Sequence, residues 1–174
     1  MTNGIKDKYK NEALNIIQEK YLEIDFSSLD NDTYNDTFQV GDLVDTLGWD
    51  IEFAILPCSV YGFTTILDKK TIIFLNDKHK GAVNCFTIAR QIGYYVLHGY
   101  FSDETDKDRK YIEEERKKNA EVNSFASELL MPEYQFVKVF SEHKGDFSRI
   151  ASTFMVPLSI CITRALNLGL ISVV

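Results

Sequence analysis

The chain has 174 residues, 45% of them hydrophobic and 26% charged, with a formal net charge of −7. That is enough apolar material for one well-cored domain, or a core plus a small appendage, and too much for a wholly disordered chain. The acidic balance excludes delocalised phosphate attraction as a driving force, so contact with nucleic acid would need a local basic patch.

Tyr9, Ala13, Ile16, Ile17 and Tyr21 recur near helical spacing between Lys and Glu residues, which predicts an amphipathic helix over residues 8–24. The stretch MTNGIKDKYKNEALNIIQEKY has no uninterrupted apolar run and does not read as a signal peptide. DFSSLDNDTYNDT follows and reads as loop. VGDLVDTLGWDIEFAIL then predicts a short helix closing at Gly48 and a strand from Ile51 to Leu56.

Tyr61–Leu67 and Thr71–Leu75 flank LDKKT and form a predicted hairpin. Ala82–Leu97 is a strongly apolar helix closed by Gly99. Residues 103–121 alternate in charge sign, as a loop leading into a solvated helix that runs through EVNSFASELL to Pro132. Two short helical patterns, 146–154 and 157–167, follow and are separated by MVP. The most apolar region, 150–174, is broken by Pro157 and Arg164, short of the ~20 apolar residues of a membrane span. The expected location is the cytoplasm, with no membrane partner.

Cys58, Cys85 and Cys161 show no C-x-x-C spacing and sit in apolar or aromatic surroundings. They read as free thiols in a reducing compartment. Cys85 opens its helix near the positive end, the one hint of a nucleophile, but spacing alone does not supply a base. His79, in NDKHKG, and His143, in SEHKG, read as solvated.

The chemistry concentrates on FTIARQIGYYVLHG, residues 86–99. Two histidines at i and i+4 on a helix can grip one zinc ion, and a glutamate beside the first can take a proton from the metal-bound water. The stretch resembles the corresponding helix of the ImmA/IrrE family of metallopeptidases, approximately F-T-L-A-H-E-L-G-H-Y-L-L-H. Arg90 stands where that family has its first zinc histidine, Gln91 at the catalytic glutamate and Tyr94 at the second histidine. EVNSFASELLMP, from Glu121 to Pro132, is similar to the family segment E-A-N-x-F-A-x-x-L-L-M-P, which carries the third ligand, so the resemblance assigns that position to Glu121. TIIFLN, ending at Asn76, resembles the strand before the active helix. IASTFMVPLSICITRALNLGLI resembles the family's C-terminal helical pair. The likeness spans residues 38–171.

The resemblance implies an α+β fold, a small antiparallel or mixed sheet packed by helices, with a zincin-like unit over 1–132 and a C-terminal helical subdomain over 133–174. It does not carry the chemistry. Arginine is a permanent cation and repels zinc, neutral tyrosine is a poor ligand, and glutamine is no base near neutral pH. The expectation is no catalytic residue, no metal and no cofactor.

Arg90, Tyr94 and His98 share one helix face at i, i+4 and i+8. With Glu121 they form an expected vestigial cleft, in which the Arg90 guanidinium replaces the zinc and hydrogen-bonds Glu121. A buried carboxylate without a counter-charge would otherwise be costly. His98 reads as a structural helix-end histidine, with a metal held by His98 and Glu121 as the sharper alternative.

Residues 147–170 have the outline of a helix-turn-helix. Its second helix starts PLSICITRALN with one cation, Arg164, which disfavours direct DNA binding.

Family members act on transcriptional repressors, often in phages and mobile elements. The expected function is therefore a catalytically inactive relative that works by protein binding, as an antirepressor or regulator with a repressor for partner. Two other readings stand beside it: an active metallopeptidase with a rearranged metal site, and a phage-encoded inhibitor of a host defence or nucleic-acid-handling protein.

Overall fold

The computed structural model describes residues 40–99 and 109–172 of the chain. The helix expected at 8–24, the loop after it and the approach to the long charged helix lie outside the described residues.

The first helix, α1 (Val40–Thr46), buries Val40, Leu43 and Val44, the i, i+3, i+4 set that makes one face of a helix. Gly48 ends it at φ 68, and the Trp49 N–H reaches back to the Val44 carbonyl at 3.0 Å while the Gly48 N–H reaches Asp45. This is a Schellman stop, which needs a left-handed residue and so favours glycine.

Three strands follow: β1 (Asp50–Ala54), β2 (Gly62–Leu67) and β3 (Lys70–Asn76). The sheet order is β1-β3-β2, with β1 parallel and β2 antiparallel to the central β3. The expected hairpin forms, with Leu67 opposite Lys70. Its two turn residues, Asp68 and Lys69, both have positive φ, the twist a two-residue hairpin requires. β3 suits the central place because it alone buries apolar residues on both faces: Ile72, Ile73 and Leu75 are all buried. It ends in Asn76, fully buried, whose Nδ2 donates to the carbonyls of Leu56, Pro57 and Val60. That side chain ties the β1–β2 loop to the strand that leads into the site.

The next helix, α2 (Ala82–His98), is closed by Gly99 in the left-handed conformation. Its core face, including Phe86, Ile88, Ala89, Ile92 and Val96, packs in one apolar cluster with Ile73 and Leu75 of the sheet. α3 (Arg109–Leu130) packs against α2. A Cβ at Gly93 would lie 2.9 Å from Phe125 and 3.3 Å from Val122, so this glycine permits the close approach of the two helices.

α4 (Glu133–Glu142), α5 (Phe147–Thr153) and α6 (Leu158–Asn167) complete the described chain. α4 is an addition to the elements expected from sequence: Phe136, Val139 and Phe140 form its inner face behind Pro132. The side chain of Asp146 caps α5 by accepting from the N–H groups of Ser148 and Arg149. The chain bends by 102° between α5 and α6. Phe136, Ile150, Phe154 and Cys161 belong to the same core as α2.

Arg164 fastens this end to α3: its Nε donates to the Met131 carbonyl at 3.1 Å and its guanidinium pairs with Glu128. The architecture is α+β, a three-stranded mixed sheet packed by helices. Among the described residues no single helix is long and apolar enough to cross a membrane.

Candidate functional site

The i, i+4, i+8 spacing on α2 places Arg90, Tyr94 and His98 along one side of the helix. Across from them α3 contributes Asn119. Its Oδ1 accepts a hydrogen bond from Arg90 at 2.7 Å and another from the Tyr94 hydroxyl at 2.6 Å. Its Nδ2 donates to the Glu115 carbonyl at 2.8 Å, which fixes the orientation of the carboxamide. The Arg90 guanidinium also lies 5.9 Å from the centre of the Tyr94 ring, within cation–π range. Tyr94 is 3% exposed, so its phenol is a structural post rather than a mobile surface group.

The hydrogen bond expected between Arg90 and Glu121 is not formed. Glu121 lies two residues beyond Asn119, about 200° further around the helix at 3.6 residues per turn. Its side chain is 62% exposed and sits 3.6 Å from His98 Nε2 at the flank of the site. Among the described residues no buried carboxylate is present to need the arginine. The geometry gives that role to a neutral carboxamide that sequence likeness does not mark. Its one signal in the sequence is helical phase: Asn119 stands three residues before Val122 and seven before Ala126, both buried on the face turned to the core.

Gln91 points the other way. It is 2% exposed and faces β2, where its Oε1 accepts from the Thr64 hydroxyl at 3.0 Å and its Nε2 donates to the Gly62 carbonyl at 3.4 Å. It acts as a strand-to-helix tie.

A cleft of about 470 Å³ opens beside Arg90, lined among others by Tyr61, Phe86, Asn119, Asn123 and Ile160. Arg90 supplies the only charged side chain among the described lining residues, and its Nε is buried without a hydrogen-bond partner. Tyr61 is backed by His79, stacked on it at 4.8 Å. His79 and His143, expected in solvent, are both half-buried.

The cysteines are free. Desolvation raises the Cys85 thiol above its ordinary pKa, against a smaller opposing effect from a backbone hydrogen bond, and burial pushes Cys161 up to about 11. Both shifts keep the thiol protonated, the wrong direction for a nucleophile.

A helix bearing the frame of a zinc-peptidase motif, preceded by the β2–β3 hairpin and faced by a long helix, defines a zincin-like α+β domain. The IrrE N-terminal-like domain family (Peptidase_M78) matches residues 56–165, and the chain belongs to that family. Among solved structures it is similar to a Mycobacterium tuberculosis transcriptional regulator, at a TM-score of 0.56 and 13% identity. That likeness covers 89% of this chain and 45% of the other, so the chain spans less than half of the regulator's length. No curated protein matches the sequence.

The residues present do not fit the zinc ion a peptidase of this fold implies. Arg90, Tyr94 and Asn119 offer a cation, a neutral phenol and a carboxamide, and Asn119 Oδ1 already accepts from both neighbours. Among the described residues no three His, Cys, Asp or Glu side chains gather as a metal would need.

Proposed function

We propose that this chain is a family member that binds protein without cutting it, a regulator whose partner is a transcriptional repressor. The carrying observation is the closed network of Arg90, Tyr94 and Asn119. The position opposite the two former histidines is filled by hydrogen bonds internal to the protein, and the glutamine at the base position is engaged with β2. A water nucleophile would need both a metal and a base there. The open cleft next to the network supports a binding role, because substrate recognition in a peptidase uses walls that survive the loss of its catalytic groups.

The network further supports position 119 rather than 121 as the vestigial third-ligand position. Direct DNA binding has little support from the C-terminal helices, since Arg164, the one cation of α6, is buried and consumed by Glu128 and Met131. An origin in a phage or mobile element and an antirepressor role complete the reading by family resemblance.

The test combines metal analysis with a binding assay. Purified protein is expected to carry substoichiometric zinc, to leave a repressor encoded beside it intact, and to form a complex with it on size-exclusion chromatography. Stoichiometric zinc with chelator-sensitive cleavage would replace this reading with a rearranged peptidase. Absence of a complex would remove the repressor as partner.

A further inference from the structure

We propose that Arg90 makes the cleft a carboxylate-binding site, which recognises an acidic group on the polypeptide of the protein partner. The inference rests on the binding role proposed above and specifies what the cleft selects.

Three observations carry it. First, Arg90 is a cation without a counter-ion: among the described residues its only polar partner is the neutral Asn119, and no carboxylate pairs with it. Second, the guanidinium is held in place rather than free to swing. Asn119 grips one terminal nitrogen, Nη2, and Asn119 is itself anchored to Glu115. Third, the Nε is buried without a partner while the side chain lines an open cleft of about 470 Å³. A buried N–H left without an acceptor costs free energy, and an incoming acceptor would recover it. A fixed, partly desolvated guanidinium with an unused Nε suits the planar, two-oxygen geometry of a carboxylate.

The surroundings decide between anions. Besides Arg90 the wall carries Asn123, Thr87 and Ser159 as neutral polar groups, and Tyr61, Val83, Phe86, Pro157 and Ile160 as apolar or aromatic ones. One positive charge balances one carboxylate. It does not balance a phosphate dianion, and a single cation does not make a track for a nucleic-acid backbone, which is held by several. The chain's net charge of −7 adds no long-range pull for polyanions. The apolar walls suit a peptide, with its acidic group at Arg90 and neighbouring side chains against Phe86 and Ile160.

The acid can come from an Asp or Glu side chain or from a chain's C-terminal carboxylate, and small probes separate the two. The full chain, labelled with nitrogen-15, is titrated with N-acetyl-aspartate α-amide, N-acetyl-phenylalanine, N-acetyl-phenylalaninamide and inorganic phosphate. The readout is the Arg90 Nε–Hε resonance, assigned by its loss in Arg90→Lys. Saturable shifts are expected with one or both carboxylates, at least about tenfold tighter than with the neutral amide, the margin of a charge-assisted over a neutral hydrogen bond. A response to the aspartate probe alone supports a side-chain source, and a response to N-acetyl-phenylalanine alone supports a chain end.

Asn119→Asp sets a competing carboxylate against the same guanidinium and is expected to weaken carboxylate binding by about tenfold or more. Equal response to acid and amide, tighter binding of phosphate, or unchanged affinity in Asn119→Asp overturns the proposal. The acid–amide comparison uses the unaltered protein, so a folding defect in a variant does not shelter it. A repressor complex that persists while the probes fail refutes this site alone. Probes that bind where no repressor complex forms refute the partner and leave the site standing.

Discussion

Arg90 and Asn119 meet at 2.7 Å across α2 and α3, and the bond joins a permanent charge to a neutral amide. Tyr94 shares the same acceptor at 2.6 Å, so one carboxamide oxygen serves two donors, the buried Tyr94 and the half-buried Arg90. Asn119→Ala would remove this shared acceptor from both at once. Each buried donor left without a partner costs about 1–3 kcal/mol, partly relieved here because the cleft admits water to Arg90. The expected loss is about 2 kcal/mol overall, or roughly 4–8 °C in Tm for a chain of this size, read by thermal unfolding. A Tm within a degree of the parent would show that the network does not hold α2 to α3.

Which residue matches the third-ligand position of the family can be asked by building the zinc motif into this chain. Arg90→His, Gln91→Glu and Tyr94→His together restore two imidazoles and a base. If position 119 is the third corner, zinc binding needs Asn119→Glu as well, and the triple variant with native Glu121 binds far more weakly. The gap should exceed the ~10–100-fold that even outer-shell losses cost a zinc site. Zinc titration with a chromophoric chelator measures it, and equal affinity for the triple and quadruple variants would return the position to Glu121.

The difference between those two residues shows where sequence reading stops. The stops at Gly48 and Gly99, the β2–β3 hairpin and the helix that carries the site were all legible, because each depends on a local rule about backbone conformation or apolar period. The family frame was legible too, through TIIFLN and EVNSFASELLMP in order. Asn119 was not. A charged residue in a matching segment draws attention to Glu121, while the contact is decided by angular position on α3 and by the close approach that Gly93 allows. α4 is hard to read for a different reason: its apolar triad of Phe136, Val139 and Phe140 is short and lies between Pro132 and the Lys144–Gly145 turn, so little periodicity accumulates.

Gln91→Glu tests whether residue 91 serves the fold through its bonds to β2. The carboxylate would lie in a site 2% exposed, beside the Gly62 carbonyl that now accepts from the amide. Burial and that carbonyl both disfavour the charged form, so the folded-state pKa rises above the unfolded value of about 4.3. As pH climbs past about 4 the unfolded chain ionises first and stability falls, until the folded pKa is reached. The variant should be near parental stability at acid pH and about 2–3 kcal/mol less stable at pH 7. Urea unfolding at several pH values gives the profile, and a pH-independent difference would show that the site is wetter than its burial indicates.

The three thiols offer an independent check on packing around the site. Cys58 is exposed and lies 3.5 Å from Lys78 Nζ, whereas Cys85 is half-buried at the start of α2 and Cys161 is fully buried on α6. Alkylation proceeds through the thiolate, so a raised pKa and steric cover slow it together. With Cys161 pushed up to about 11 by burial, its thiolate fraction near neutral pH is about one in ten thousand, and reaction there must wait for local opening. Iodoacetamide at pH 7.5, followed by peptide mass spectrometry, should modify Cys58 first, Cys85 more slowly and Cys161 only on unfolding. Asn119→Ala should speed Cys85 if loosening of α2 from α3 reaches the helix start, and should leave Cys161 protected in the core that it shares with Ile150, Phe154 and Phe136. Rapid labelling of Cys161 in the native chain would mean that the C-terminal helices do not stay packed against the core that positions Arg90.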